Sequence, residues 1–170
     1  LLALVLAGSW QQLGNSIVGD ANDDYSGQGL ALSEDGSRVA IGSIGHGGTC
    51  GHNCGQVRVF EFSALSGWTP LGSAIVGVAS GDEWGRAVSL SADGLRLASG
   101  AKDHNNNVGH VRVFEYNTNA ADWQQMGGDI DGANQGYFGI KLGLSSDGLT
   151  VAAGAPINDD VGTDAGLARV

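Results

Sequence analysis

The stretch "LSEDGSRVAIGSIG" at 32–45 returns as "LSADGLRLASGAK" at 90–102 and as "LSSDGLTVAAGAP" at 144–156. Each copy reads Leu-Ser-x-Asp-Gly, then a short apolar run, then a closing glycine at Gly42, Gly100 or Gly154. Asp-Gly between two apolar runs is a strong hairpin signal, because both central residues of such a turn must tolerate positive φ. The stretch therefore predicts a two-residue hairpin turn inside a unit that the chain uses three times.

Working outward, the same phase marks a longer repeat. Trp10, Trp68 and Trp123 open "WQQLGNSIVG" at 10–19, "WTPLGSAIVG" at 68–77 and "WQQMGGDIDG" at 123–132. Next come Ser26-Gly27, Trp84-Gly85 and Phe138-Gly139, then the Leu-Ser-x-Asp-Gly stretch and a polar loop of variable length. The unit closes on "GQVRVFEF" at 55–62, "GHVRVFEY" at 109–116 and "GLARV" at 166–170. In the second unit this predicts strands at 86–91, 95–99 and 110–116, with the Trp phrase at 68–76 as a fourth.

Four short strands per repeat of about 40 to 60 residues is the pattern of a β-propeller blade. The expected fold is all-β, a single β-propeller segment over 1–170 built of three four-stranded antiparallel blades. The repeats run approximately 10–67, 68–122 and 123–170, with 1–9 as a circularly displaced strand. That register favours a strand for Leu1–Leu6; the alternative is the remnant of a signal peptide, and the run is far too short to span a bilayer. Three blades do not close a ring, so further blades are expected from a longer chain or a second copy.

Composition agrees with short strands and tight turns. Of 170 residues 30 are Gly and 2 are Pro, and Gly disfavours helix by about 1 kcal/mol per position. The formal charge of −10 excludes the basic stripe that nucleic acid requires, and it disfavours an anionic membrane surface. Cations, glycans and basic protein surfaces remain.

The third unit pairs Phe138-Gly139 with Gly154-Ala155-Pro156, and weaker forms occur as Ser26-Gly27 with Gly42-Ser43 and Trp84-Gly85 with Gly100-Ala101. This pattern resembles the FG-GAP repeats of integrin α-subunit-like β-propellers over nearly the whole chain. The resemblance implies a non-catalytic binding or scaffold module for extracellular recognition or adhesion, with a protein or glycan ligand and often calcium. The family's calcium loop, Asp-x-Asp/Asn-x-Asp-Gly-x-x-Asp, is not kept. Only Asp35, Asp93 and Asp147 remain, with Glu34 beside the first, whereas calcium takes six to eight oxygens. The Asp-Gly is thus read as a turn, and no cofactor is required there.

Candidate chemistry moves to the polar loop after each apolar run, expected on one face in all three units. His46, Cys50, His52 and Cys54 lie in the first loop, Asp103, His104 and Asn105 in the second, and Asn158, Asp159, Asp160 and Asp164 in the third. Cys50 and Cys54 suit a small disulfide in an extracellular or luminal setting; a cramped Cys2His2 zinc site and free thiols are the alternatives. Calcium could be held by the third loop, or by Asp20, Asn22 and Asp24, whose alternation imitates the start of an EF-hand loop without its Gly and Glu. The tryptophans are read as packing residues, except Trp84, which has no Trp counterpart and is expected to be exposed for ligand contact. No catalytic constellation stands out, so the chain is read as not an enzyme. The alternatives are a carbohydrate-active hydrolase or lyase on the same scaffold, or a structural subunit of an assembly.

Overall fold

The computed structural model describes residues 9–170; the expected strand at Leu1–Leu6 lies outside the described residues. The short apolar runs form strands because β-branched and aromatic residues alternate with glycine-bearing turns too closely spaced for helix. Among the described residues they make three antiparallel sheets. Sheet 1 has the order β1 (Ser26–Leu32), β2 (Arg38–Ser43), β3 (Gln56–Ser63) and β4 (Gly67–Pro70), and β5 (Ile75–Val76) also pairs β3. Sheet 2 repeats it with β6 (Ala87–Leu90), β7 (Arg96–Ala101), β8 (His110–Asn117) and β9 (Asp122–Gln125), and β10 (Ile130–Asp131) also pairs β8. Sheet 3 holds β11 (Lys141–Leu144), β12 (Val151–Ala155) and β13 (Leu167–Arg169).

Two details differ from the expectation. The Trp phrase completes the sheet before it: Trp68 pairs Phe62 in sheet 1, and Trp123 pairs Tyr116 in sheet 2. Its strand is also interrupted, so that β4 and β5 share β3 as partner. The physical reason is covalent reach, since β3 turns back through Ala64–Ser66 directly into Gly67.

The second correction concerns the Asp-Gly turn. Ser33 N–H bonds Arg38 O at 3.0 Å, which leaves four residues in the loop rather than two. Only Gly36 takes positive φ, +68°, as do Gly94 and Gly148 in the other copies. Asp35 instead serves as an acceptor, taking the Ser33 hydroxyl at 2.7 Å and the Ser37 N–H at 2.8 Å. Asp93 and Asp147 do the same with Ser91 and Leu95, and with Ser145 and Leu149. The carboxylate thus folds the loop onto itself, an Asx-type turn that needs no ion.

The sheets stack in chain order. Ala40, Val57 and Val59 of sheet 1 pack with Trp84, Leu90, Leu97 and Phe114 at sheet 2, and Val111 packs with Phe138, Ala153 and Ala155 toward sheet 3. Close approach depends on glycine: a Cβ on Gly42 would strike the Gly85 carbonyl, and one on Gly100 would strike that of Gly139. Repeated side-chain ties reinforce the stack. The Trp68 and Trp123 indoles donate to Leu13 O and Leu71 O, at 2.9 and 2.7 Å. Arg38 and Arg96 reach the turn carbonyls of Asp93 and Asp147 in the next sheet. Arg58, Arg112 and Arg169 donate back to the carbonyls of Val18, Val76 and Asp131.

Candidate functional site

The loops 44–55, 102–109 and 156–166 join equivalent strands, so they leave their sheets at the same end. The segments that lead into sheets 2 and 3 cross this end and stitch it together. Gly81 N–H and the Ser80 hydroxyl donate to His52 O, each at 2.9 Å, and Glu83 N–H donates to Asn53 O. Gly136 and Tyr137 N–H both donate to Asn107 O, and Asn134 Nδ2 donates to Asp160 Oδ1 at 2.5 Å.

Each loop has its own local cause. In the first, Cys50 and Cys54 form a disulfide with Cα atoms 5.9 Å apart, so their sulfurs are not free for zinc. In the second, Asn105, Asn106 and Asn107 take φ of 51°, 56° and 69°, a left-handed turn that asparagine tolerates better than most residues. In the third, buried Asn158 accepts the Asp160 N–H at 3.1 Å, and Asp159 accepts the Asp164 N–H at 2.7 Å.

Of the anticipated site residues, His52, Asn105, Asp159 and Asp160 are exposed, while Asp103 pairs with Lys102. Trp84 is the clear correction. It is 0% exposed, wedged between sheets 1 and 2 with the Arg112 guanidinium 4.0 Å above its ring and Phe114 and His110 at its edges. Phe138 fills the equivalent place before sheet 3, so this position is an interior aromatic rather than a ligand platform. Asp20 and Asp24 do converge, and His46 joins them, while Asn22 is exposed. Asp20 is already held by Arg58 at 2.6 Å and Gln56 at 2.7 Å, and Asp24 by the N–H groups of Asp20 and Ala21.

An aspartate–histidine pair occurs twice in the same phase. Asp24 and Asp82 lie three residues before Gly27 and Gly85; His46 and His104 lie four after Gly42 and Gly100. Both aspartates are buried. His46 Nδ1 stands 3.5 Å from Asp24, and His104 Nδ1 stands 2.9 Å from Asp82. The third repeat has Gly136 and Asn158 at these positions, packed directly against each other.

Beside the second pair lies His110, the first residue of β8, whose ring centroid is 4.1 Å from that of His104. His110 is 0% exposed, and neither ring nitrogen has a hydrogen-bond partner. Burial, then the neighbouring His104 and Arg112, push its pKa down to about 4, so the ring is neutral at pH 7. The Asp129 carboxylate is 3.9 Å from its Nδ1. His110, Asp82, Asp129 and Asp131 escape a reading of the sequence because none lies in the polar loop that follows each apolar run: His110 and Asp131 are strand residues, and Asp82 and Asp129 lie in the segments leading into other strands. The shared phase of His46 and His104 was the available signal.

No family model matches the chain, and no curated protein matches it. Among solved structures, a chain in the complex of KlAtg21 with the coiled-coil of AgAtg16 is similar, with a TM-score of 0.52 and 14% identity. The match covers 75% of this chain and 36% of that one. Kuenenia stuttgartiensis hydrazine synthase gives a TM-score of 0.49 at 14% identity, over 86% of this chain and 33% of that one. The chain thus spans about a third of the length of these structures. The first likeness bears on fold alone.

No helix among the described residues is long and apolar enough to cross a membrane. What the loop end offers chemically is a set of exposed amide, carboxylate and imidazole groups on a framework held by a disulfide and by buried aspartate–histidine pairing. Such groups suit hydrogen bonding to a polar ligand.

Proposed function

We propose that the chain is a segment of an FG-GAP-like β-propeller, each sheet forming one blade, and that it serves as a non-catalytic binding or scaffold module in extracellular or luminal recognition. One observation carries the architectural half. Leu90 of sheet 2 faces sheet 1 and is 8% exposed, with Val88 packed beside it. Leu30 and Leu32 hold the same positions in sheet 1 and are 63% and 62% exposed. A face that repeats its neighbour's apolar pattern without a cover fits a further blade of the same kind, from a longer chain or a second copy.

The recognition half is supported by the loop end. Three loops on one side of a stacked scaffold, one closed by a disulfide, present His52, Asn105, Asp159 and Asp160 to solvent. The disulfide fits an oxidising compartment. The ligand is a protein or a glycan, and calcium is an optional participant.

Light scattering tests closure: the 170-residue chain is expected to self-associate, and Leu30→Asp with Leu32→Asp is expected to abolish this. A compact wild-type monomer at high concentration would contradict the blade reading. Binding to arrays of glycans and basic proteins, with calcium and with chelator, tests recognition. Saturable binding without turnover, weakened by Asn105→Ala and Asp160→Ala, is expected; formation of a product would favour the carbohydrate-active alternative.

A further inference from the structure

The loop end carries one donor set that the binding reading does not use. His104, His110 and Asp131 each offer a ligand atom, and the three atoms lie within 4.8 Å of one another. His110 is the unusual member. A fully buried imidazole with two unpartnered nitrogens is costly, because a buried polar group without a partner loses its hydration for nothing in return.

The neighbours of the two histidines account for their orientation. Asp82 can only accept at His104 Nδ1, so that nitrogen carries the proton and Nε2 keeps its lone pair in the neutral ring. Asp129 stands in a looser version of that role beside His110 Nδ1. A carboxylate behind each metal-binding imidazole is a common second layer, which fixes the tautomer and raises the ligand's basicity. Local charge points the same way. Asp82 and Asp129 lie within electrostatic reach of the Arg112 guanidinium, which is occupied with the Trp84 ring and the Val76 carbonyl, and Arg169 meets Asp131 at its backbone carbonyl.

We propose that His104, His110 and Asp131 bind a divalent transition metal, zinc by preference, at the loop end of sheet 2. Two imidazoles and one carboxylate form a borderline donor set that suits zinc and not calcium, which takes oxygen ligands in larger number. Tetrahedral zinc with bonds near 2.0–2.1 Å sets ligand atoms about 3.3 Å apart, a contraction that side-chain rotation supplies. Three protein ligands leave a fourth position for water or for a donor atom of a ligand. The ion ties the 102–109 loop to β8 and β10, and it gives His110 the partner that it lacks.

This site is distinct from the equivalent place in the first repeat. There Gln56 replaces His110 and bonds Asp20, so the carboxylates already have protein partners. In the third repeat Leu167 stands in phase with His110, and no such set can form.

Calorimetry of chelator-treated protein with its disulfide intact, titrated with zinc chloride, is the test. One zinc per chain is expected, and cobalt in its place should give the visible absorption of a four-coordinate ion. Asp131→Asn, at an exposed side chain, should weaken binding at least tenfold while leaving the circular dichroism unchanged. His104→Gln should remove the cobalt spectrum, and His52→Gln should leave it intact. Absence of stoichiometric zinc binding would overturn the proposal. So would binding undiminished by Asp131→Asn, or binding lost in His46→Gln but kept in His104→Gln.

Discussion

The two ends of the sheets solve the same problem, how to turn a strand, in opposite ways. At one end, the loops 33–38, 91–96 and 145–150 repeat a single network in which a serine hydroxyl and an aspartate carboxylate satisfy the local N–H groups. At the other, no two loops are alike: one has a disulfide, one a left-handed run of asparagines, one a chain of Asx-type turns. Within each turn at the first end the serine and aspartate side chains find their partners within six residues, and the longer ties are of a repeated kind, such as Glu34 N–H to Ala92 O at 2.9 Å and Ala92 N–H to Ser146 O at 2.8 Å. The second end is closed by contacts from segments distant in the chain, such as Asp82 to His104 and Asn134 to Asp160. Local closure preserves a pattern; closure by neighbours frees the loop to vary.

Damage at the loop end should therefore cost more than damage at the turn end. The largest loss is expected from Trp84→Ala, about 3–5 kcal/mol in urea unfolding, because a fully buried indole between two sheets leaves a cavity. A loss below 1 kcal/mol would show that the loop end does not depend on the packing beneath it. Reducing the Cys50–Cys54 disulfide should lower stability by about 2 kcal/mol, the modest value for a loop closed over four residues. Thermal melts with and without reductant read this directly.

At the turn end, Ser91→Ala should cost about 1–2 kcal/mol, since the Ser91 hydroxyl both donates to Asp93 and accepts the Arg96 N–H at 2.9 Å. The equivalent Ser33→Ala should match it closely; unequal losses would show that the turns are not equivalent in energy. The smallest effect is one of pH. The Ser37 N–H and the Ser33 hydroxyl hold Asp35 down to about 2. The Ser91 hydroxyl and Leu95 N–H lower Asp93, and the Ser145 hydroxyl and Leu149 N–H lower Asp147. A carboxylate lowered in the folded state contributes stability that is full above its unfolded pKa of about 3.9 and is lost as pH falls through the folded value. Stability should therefore decline between about pH 4 and pH 2, and replacing all three aspartates with asparagine should flatten that decline.

How legible each end was follows from the same contrast. The Leu-Ser-x-Asp-Gly stretches could be placed from sequence because the hydrogen-bond donors to the aspartate carboxylate lie within a few residues of it. The turn's length was misjudged, since the Asp-Gly pair alone does not reveal that serine, not the next strand residue, closes the loop. The disulfide between Cys50 and Cys54 was legible from the acidic, lysine-poor composition rather than from spacing. Trp84 was misplaced because an unmatched aromatic looks exposed in one dimension, whereas its partner Phe138 shows that the position requires bulk. His110 was read as one more strand residue, and only the fold sets its ring against His104.

By itself, then, the sequence determined the all-β class, three repeats and the turn at one end of each, because those depend on local hydrogen bonding and on apolar periodicity. Tertiary structure alone decided which strand completes which sheet, that Trp84 is interior, and that His104, His110 and Asp131 meet. These depend on contacts between segments tens of residues apart, where packing against a neighbouring sheet, and not local preference, sets the outcome.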